Sequence, residues 1–127
     1  MGLETMEPAP AWDPAAHPEV IEALGREGLS FKVWGGDWCS DCRRQLPAFA
    51  AALDAAGVPD DAVTEHPVEK REDGSKEGPE VEAYGIERIP TVVVERDGRE
   101  VVRFVEEEPV PIATYLAERL READADV

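Results

Sequence analysis

Two cysteines stand three positions apart in the pentapeptide Trp38-Cys39-Ser40-Asp41-Cys42, and they are the only cysteines in 127 residues. The apolar run from Leu29 to Trp34 precedes them and reads as a buried strand. Gly35-Gly36-Asp37 reads as a loop, and a stretch with Leu46, Phe49 and Leu53 at helical spacing follows. Strand, loop and helix in that order set the pair at the mouth of a helix. A dithiol so placed can attack a disulfide with one sulfur and resolve the adduct with the other. The context turns a weak two-cysteine pattern into a specific chemical expectation.

The rest of the chain reads as alternating elements. Residues 1–12 are rich in proline and alanine and read as a flexible N-terminal arm; residues 13–127 read as a single domain. Trp12 suits a core plug or an exposed arm residue equally. A helix should begin at Pro14 or Pro18, capped by Asp13 or His17, with Val20, Ile21 and Leu24 as its stripe and Gly28 just past its end. The cysteine-bearing helix is expected over about Cys39 to Ala56, kinked at Pro47 and stopped by Gly57. Ala62 to Val68 is a weaker strand, Glu72 to Gly78 a polar loop, and Pro79 to Tyr84 a short helix closed by Gly85. Thr91 to Glu95 and Glu100 to Val105 flank Asp97-Gly98, a strong hairpin signal. A last helix starts near Val110 to Ile112, with Ile112, Leu116 and Leu120 on one face. Alternation followed by a hairpin implies an α/β fold with a mixed sheet and helices on both faces.

Charge narrows the partners. Thirteen Lys and Arg against 29 Asp and Glu give a net charge of −16, which suits neither a nucleic acid nor an anionic membrane surface. The acids are spread along the chain and lysine is scarce, a pattern similar to that of halophilic proteins, whose saline cytoplasm screens the repulsion. The first residues lack the pattern of a signal peptide, and no apolar run is long enough to cross a membrane, so a cytoplasmic location is expected. A structural zinc site would need four ligands, and neither His17 nor His66 lies at a finger spacing from the cysteines. No metal is expected; His66 reads as a surface strand residue, and Glu106-Glu107-Glu108 as a solvated turn.

Taken together, Trp38-Cys39-x-x-Cys42, Pro47 five residues later, Tyr84-Gly85-Ile86, Ile89-Pro90-Thr91 and the Asp97-Gly98 hairpin resemble the thioredoxin family over roughly Leu29 to Leu120. The resemblance implies a thioredoxin-like fold, a central mixed sheet of four or five strands flanked by helices. It also implies a cis bond before Pro90 and a loop there facing the dithiol. Cys39, at the helix N-terminus, is then the attacking sulfur, because the macrodipole and free N–H groups favour its thiolate. Cys42, one turn on and less exposed, is the resolving sulfur, able to close a redox-active disulfide with Cys39. Asp41 disfavours a neighbouring thiolate, whereas Arg43 and Arg44 favour one, so these side chains should tune the pair. Trp38, Ile89 and Pro90 should bind substrate, the backbone at Ile89 pairing with an extended segment beside its disulfide.

The chain departs from the family's pattern at several positions. Ser40-Asp41 replaces Gly-Pro between the cysteines, and Val33 stands where the family keeps a buried acid. A clear first strand is missing, as is the glycine expected soon after the last strand, where Val105 and Glu106 stand. Lys32 is odd in a central strand and is expected at an edge with its head in solvent. The expected function is a monomeric cytoplasmic thiol–disulfide oxidoreductase that reduces protein disulfides, with no cofactor beyond its own dithiol. Electrons would come from a thioredoxin-reductase-like protein or a low-molecular-weight thiol. The alternatives are a dedicated reductant of a peroxidase or of thiol-capped proteins, and a non-catalytic thioredoxin-like binding module.

Overall fold

The structure, a computed structural model, describes residues 3–70, 72, 76–105 and 110–125. Both expected helix starts are used. Asp13 accepts the Ala15 N–H (3.0 Å) to cap a 3-10 turn at Pro14–Ala16, and Pro18 then opens α1 (Pro18–Leu24) with His17 at its cap position. Trp12 stacks on His17 with ring centroids 5.0 Å apart and packs against the core. Strand β1 (Leu29–Gly35) follows, then α2 (Ser40–Ala55), which runs through Pro47. Gly57, at φ +73, ends α2: the Val58 N–H reaches back to the Leu53 carbonyl (3.1 Å), a closure that needs the left-handed backbone glycine adopts without strain.

Strand β2 (Val63–Pro67) runs parallel to β1. A small ribbon comes next, β3 (Glu69–Lys70) paired with β4 (Lys76–Glu77), so part of the expected polar loop is a two-stranded pair. Helix α3 (Val81–Tyr84) is one turn long. Strands β5 (Thr91–Arg96) and β6 (Arg99–Val105) form the expected hairpin, with Asp97 at φ 55 and Gly98 at φ 80 as its turn. Helix α4 (Ile112–Ala125) closes the order. The run Glu106-Glu107-Glu108 lies outside the described residues.

The main sheet has four strands in the order β2-β1-β5-β6, β5 being antiparallel to both β1 and β6. Alternation along β1 sends Phe31 and Val33 to one face and Lys32 and Trp34 to the other. Phe31 meets Phe49 of α2 edge to face (6.3 Å), and Phe104 of β6 meets Tyr115 of α4 (5.5 Å). Helices α1, α2 and α4 also contact one another, which builds a three-helix layer. Leu46, Phe49, Leu116 and Leu120 are all but fully buried in the core, each worth roughly 1.5–3 kcal/mol of hydrophobic burial. The opposite face meets the single turn of α3, whose Tyr84 ring lies 5.0 Å from Trp34.

Three expectations are overturned. The arm is not loose over its described part: Leu3, Thr5 and Met6 are buried, Glu4–Met6 forms a 3-10 turn, and the segment contacts α2. Its apolar side chains Leu3 and Met6 join the hydrophobic core beside α2. Lys32 is not at an edge, because β1 lies between β2 and β5. Its ammonium donates to Tyr84 Oη (2.6 Å) and faces Glu95 (3.5 Å) and Glu80 (3.8 Å). The Tyr84 hydrogen bond first, and then these carboxylates, hold its pKa above the ordinary lysine value. His66 is buried rather than on the surface, because its ring stacks on Trp34 (4.8 Å) beneath Glu80.

Candidate active site

Cys39 is the N-cap of α2. Its backbone is extended (φ −91, ψ 122), its carbonyl accepts the Arg43 N–H (3.0 Å), and its N–H donates to the Gly36 carbonyl (3.0 Å). The side chain makes no capping bond, so the sulfur sits beside the unpaired N–H groups of the first turn, where negative charge is favoured. Cys39 is half-buried; Cys42, one turn along, is wholly buried, and both are free thiols.

The second half of the site comes from the loop before β5. The Ile89–Pro90 bond is cis, and the Ile89 carbonyl lies 4.0 Å from the Cys39 sulfur, within reach of the thiol proton. Thr91 Oγ1 donates to the Arg88 carbonyl (2.6 Å), tying this loop to its strand. Trp38 is 46% exposed, yet its indole N–H is fixed on the Val68 carbonyl (2.8 Å). Its ring lies over Gly36, where a Cβ would come within 2.5 Å of the indole nitrogen. The Val68 N–H in turn donates to the Gly35 carbonyl (2.8 Å), so the end of β2 buttresses the loop that carries the cysteines.

The surroundings of the buried sulfur displace its titration. Burial pushes the Cys42 thiol up to about 12, helped by the adjoining Cys39 thiol and by Asp41, and opposed only by the Gly36 N–H aimed at its sulfur (3.5 Å). Asp41 is paired with Arg44 (2.7 Å) on the exposed side of the first turn; Arg43 is exposed. Val33 is fully buried in β1, opposite Glu65 of β2, with no carboxyl group of its own. The structure therefore brings Trp38, Cys39, Cys42, Ile89 and Pro90 together, with Asp41 and Arg43 on the same helix turns. Among the described residues no three His, Cys, Asp or Glu side chains gather to hold a metal ion, and no helix is long and apolar enough to cross a membrane.

No protein-family model matches the chain, and no curated protein matches it. Among solved structures it is similar to a mutant thioredoxin from Halobacterium salinarum NRC-1, with a TM-score of 0.52 over 83% of this chain and 82% of that one, at 22% identity. The chain has the thioredoxin fold. Four strands, not five, make up its described sheet. Within that fold, sequence reasoning missed Leu3, Thr5 and Glu65, which bring the N-terminal segment against the site: Leu3 donates its N–H to Glu65 (2.6 Å) and Thr5 donates to Asp37 (3.0 Å). The one sequence signal was the apolar pair Leu3 and Met6, three residues apart.

Proposed function

We propose that this chain is a thiol–disulfide oxidoreductase that reduces protein disulfides in the cytoplasm, with Cys39 attacking and Cys42 resolving. The observation that carries the reading is the asymmetry of the two free thiols at the head of α2: Cys39 half-exposed beside the Ile89 carbonyl, Cys42 buried one turn behind. The Cys39 thiolate attacks one sulfur of the substrate disulfide, a mixed disulfide forms, and the other substrate sulfur leaves as a thiolate. Cys42 then loses its proton and attacks the Cys39 sulfur. A Cys39–Cys42 bond forms, the Cys39–substrate bond breaks, and the second substrate thiolate departs. The substrate gains two electrons and the chain loses two, which a reductase-type protein or a low-molecular-weight thiol restores. The dithiol needs no other cofactor for this step.

Trp38 and the Ile89-Pro90 backbone form the substrate-binding face, an exposed indole beside a carbonyl with which an extended segment can pair. Asp41, Arg43 and Arg44 tune the charge around the pair. The chain works as a monomer without nucleic acid or membrane. Its net charge of −16 fits a halophilic cytoplasm, so its melting temperature should rise from dilute to molar chloride; a flat or falling series overturns that habitat and leaves the redox reading intact.

The test is reduction of a generic disulfide-bonded protein by the isolated chain with a thiol donor. Turnover that vanishes in Cys39→Ser supports the proposal. No turnover in the parent chain contradicts general reductase activity. Trapping with Cys42→Ser then separates a dedicated reductant, which captures a narrow set of partners, from a binding module, which captures none.

A further inference from the structure

The N-terminal segment grips the surroundings of the dithiol at three points. Leu3 donates to Glu65 on β2 (2.6 Å), Thr5 to Asp37 in the loop before Trp38 (3.0 Å), and Ala9 to the Pro47 carbonyl in α2 (3.0 Å). Gly35 shows where the Leu3 side chain reaches. A Cβ at that position would lie 2.9 Å from Leu46 Cδ1, 3.2 Å from Leu3 Cδ1 and 3.5 Å from the Cys42 sulfur. All three groups border the same glycine, so the two leucines pack around the backbone against which the resolving thiol lies. Leu3 is only 6% exposed, and Cys42 is closed off from water.

We propose that Leu3 is a positioning residue for the resolving step: held by Glu65 and Asp37 through the segment's backbone, it keeps water from Cys42 and so limits how readily the resolving thiolate forms. The proposal rests on the thiol–disulfide reading for its place in the reaction, but not for its physical content. A desolvated thiol gives up its proton reluctantly, and burial is the largest cause of the upward push on Cys42. An apolar side chain brought from the far end of the chain thus acts on the chemistry of α2 without touching substrate.

The experiment measures alkylation of Cys42 by iodoacetamide against pH in a Cys39→Ser background, where Cys42 is the single thiol. Alkylation needs no disulfide partner, so its outcome is independent of whether the chain reduces proteins. Leu3→Ala should speed alkylation near pH 8 by about tenfold, the effect of one unit in the thiol midpoint, and should move that midpoint down. Leu3→Met, which conserves volume, should restore the parent profile. An unchanged rate and midpoint in folded Leu3→Ala overturns the proposal. So does a faster rate at an unshifted midpoint, which would mean general loosening. If Leu3→Ala loses its fold by circular dichroism, Leu3→Val and Glu65→Ala take its place, and unchanged alkylation in both is equally decisive against it.

Discussion

The front and the back of the dithiol are built from different parts of the chain. At the front, Cys39 caps α2 beside a turn of unpaired N–H groups, with an exposed indole on one side and the Ile89 carbonyl on the other. At the back, Cys42 is wholly buried next to the Gly35 backbone, on which Leu3 and Leu46 also pack, and burial raises its thiol to about 12. Two identical side chains one turn apart therefore differ in their access to solvent. The spacing of the cysteines puts the two sulfurs one turn apart, whereas residues distant in sequence decide which of them is buried. The difference in burial also has a sign for stability. Because the folded value of Cys42 lies above its ordinary one, the reduced protein gains stability from this group below about pH 9, and that gain is lost as pH rises towards 12.

The sharpest way to break the contrast is to remove each sulfur in turn. Cys42→Ser should accumulate a mixed disulfide carried wholly by Cys39, and Cys39→Ser should trap almost nothing; mass spectrometry of the adducts reads this directly. Comparable adduct yields on Cys42 would reverse the roles. A second experiment puts a buried carboxyl group into the strand that leads to the dithiol. Val33→Asp should speed release of the mixed disulfide and cost stability on the order of several kcal/mol, since an isolated carboxylate would be buried in β1. Stopped-flow kinetics and urea unfolding of both proteins measure the two effects. No change in release would mean that another group already takes the proton.

The remaining tests reach smaller effects. His66 is held below the ordinary imidazole value by burial and by Lys32, against the opposing pull of Glu80, and among the described residues its Nε2 has no hydrogen-bond partner. A lowered folded value gives stability that is full above about pH 6.5 and is lost as pH falls. Melting temperatures should therefore drop on mild acidification in the parent and drop less in His66→Asn. An identical acid limb in the two proteins would assign it to carboxylates instead. The smallest effect belongs to Asp41→Asn. It removes the least of the causes that raise Cys42 and an exposed pair with Arg44 worth at most about 1 kcal/mol. The alkylation midpoint of Cys42 should move down slightly, and an upward movement would show that Asp41 acts through Arg44.

The front of the site was legible in the sequence because its signals are local. Trp38-Cys39-x-x-Cys42, Ile89-Pro90-Thr91 and Asp97-Gly98 each declare a backbone feature within a few residues, and the order of elements follows from periodicity and turn residues. The back was not legible because its contacts join distant positions. Leu3 meets Glu65 across 62 residues and Lys32 meets Tyr84 across 52, and neither pair carries a spacing signal. Proline and alanine at positions 8–11 suggested a loose arm, whereas two apolar side chains and three backbone hydrogen bonds dock it. His66 reads as polar and exposed until Trp34 is seen to supply the surface on which it stacks.

In the proposed mechanism the half-buried Cys39 attacks quickly and the wholly buried Cys42 resolves slowly. Stopped-flow mixing of the reduced chain with a disulfide substrate, with formation and decay of the mixed disulfide resolved separately from pH 6 to pH 10, tests it most directly. Decay should be the slower step near neutral pH, and its rate should climb by up to about tenfold per pH unit as the Cys42 thiolate becomes more abundant. Decay that outpaces formation at neutral pH, or that does not change with pH, would contradict it.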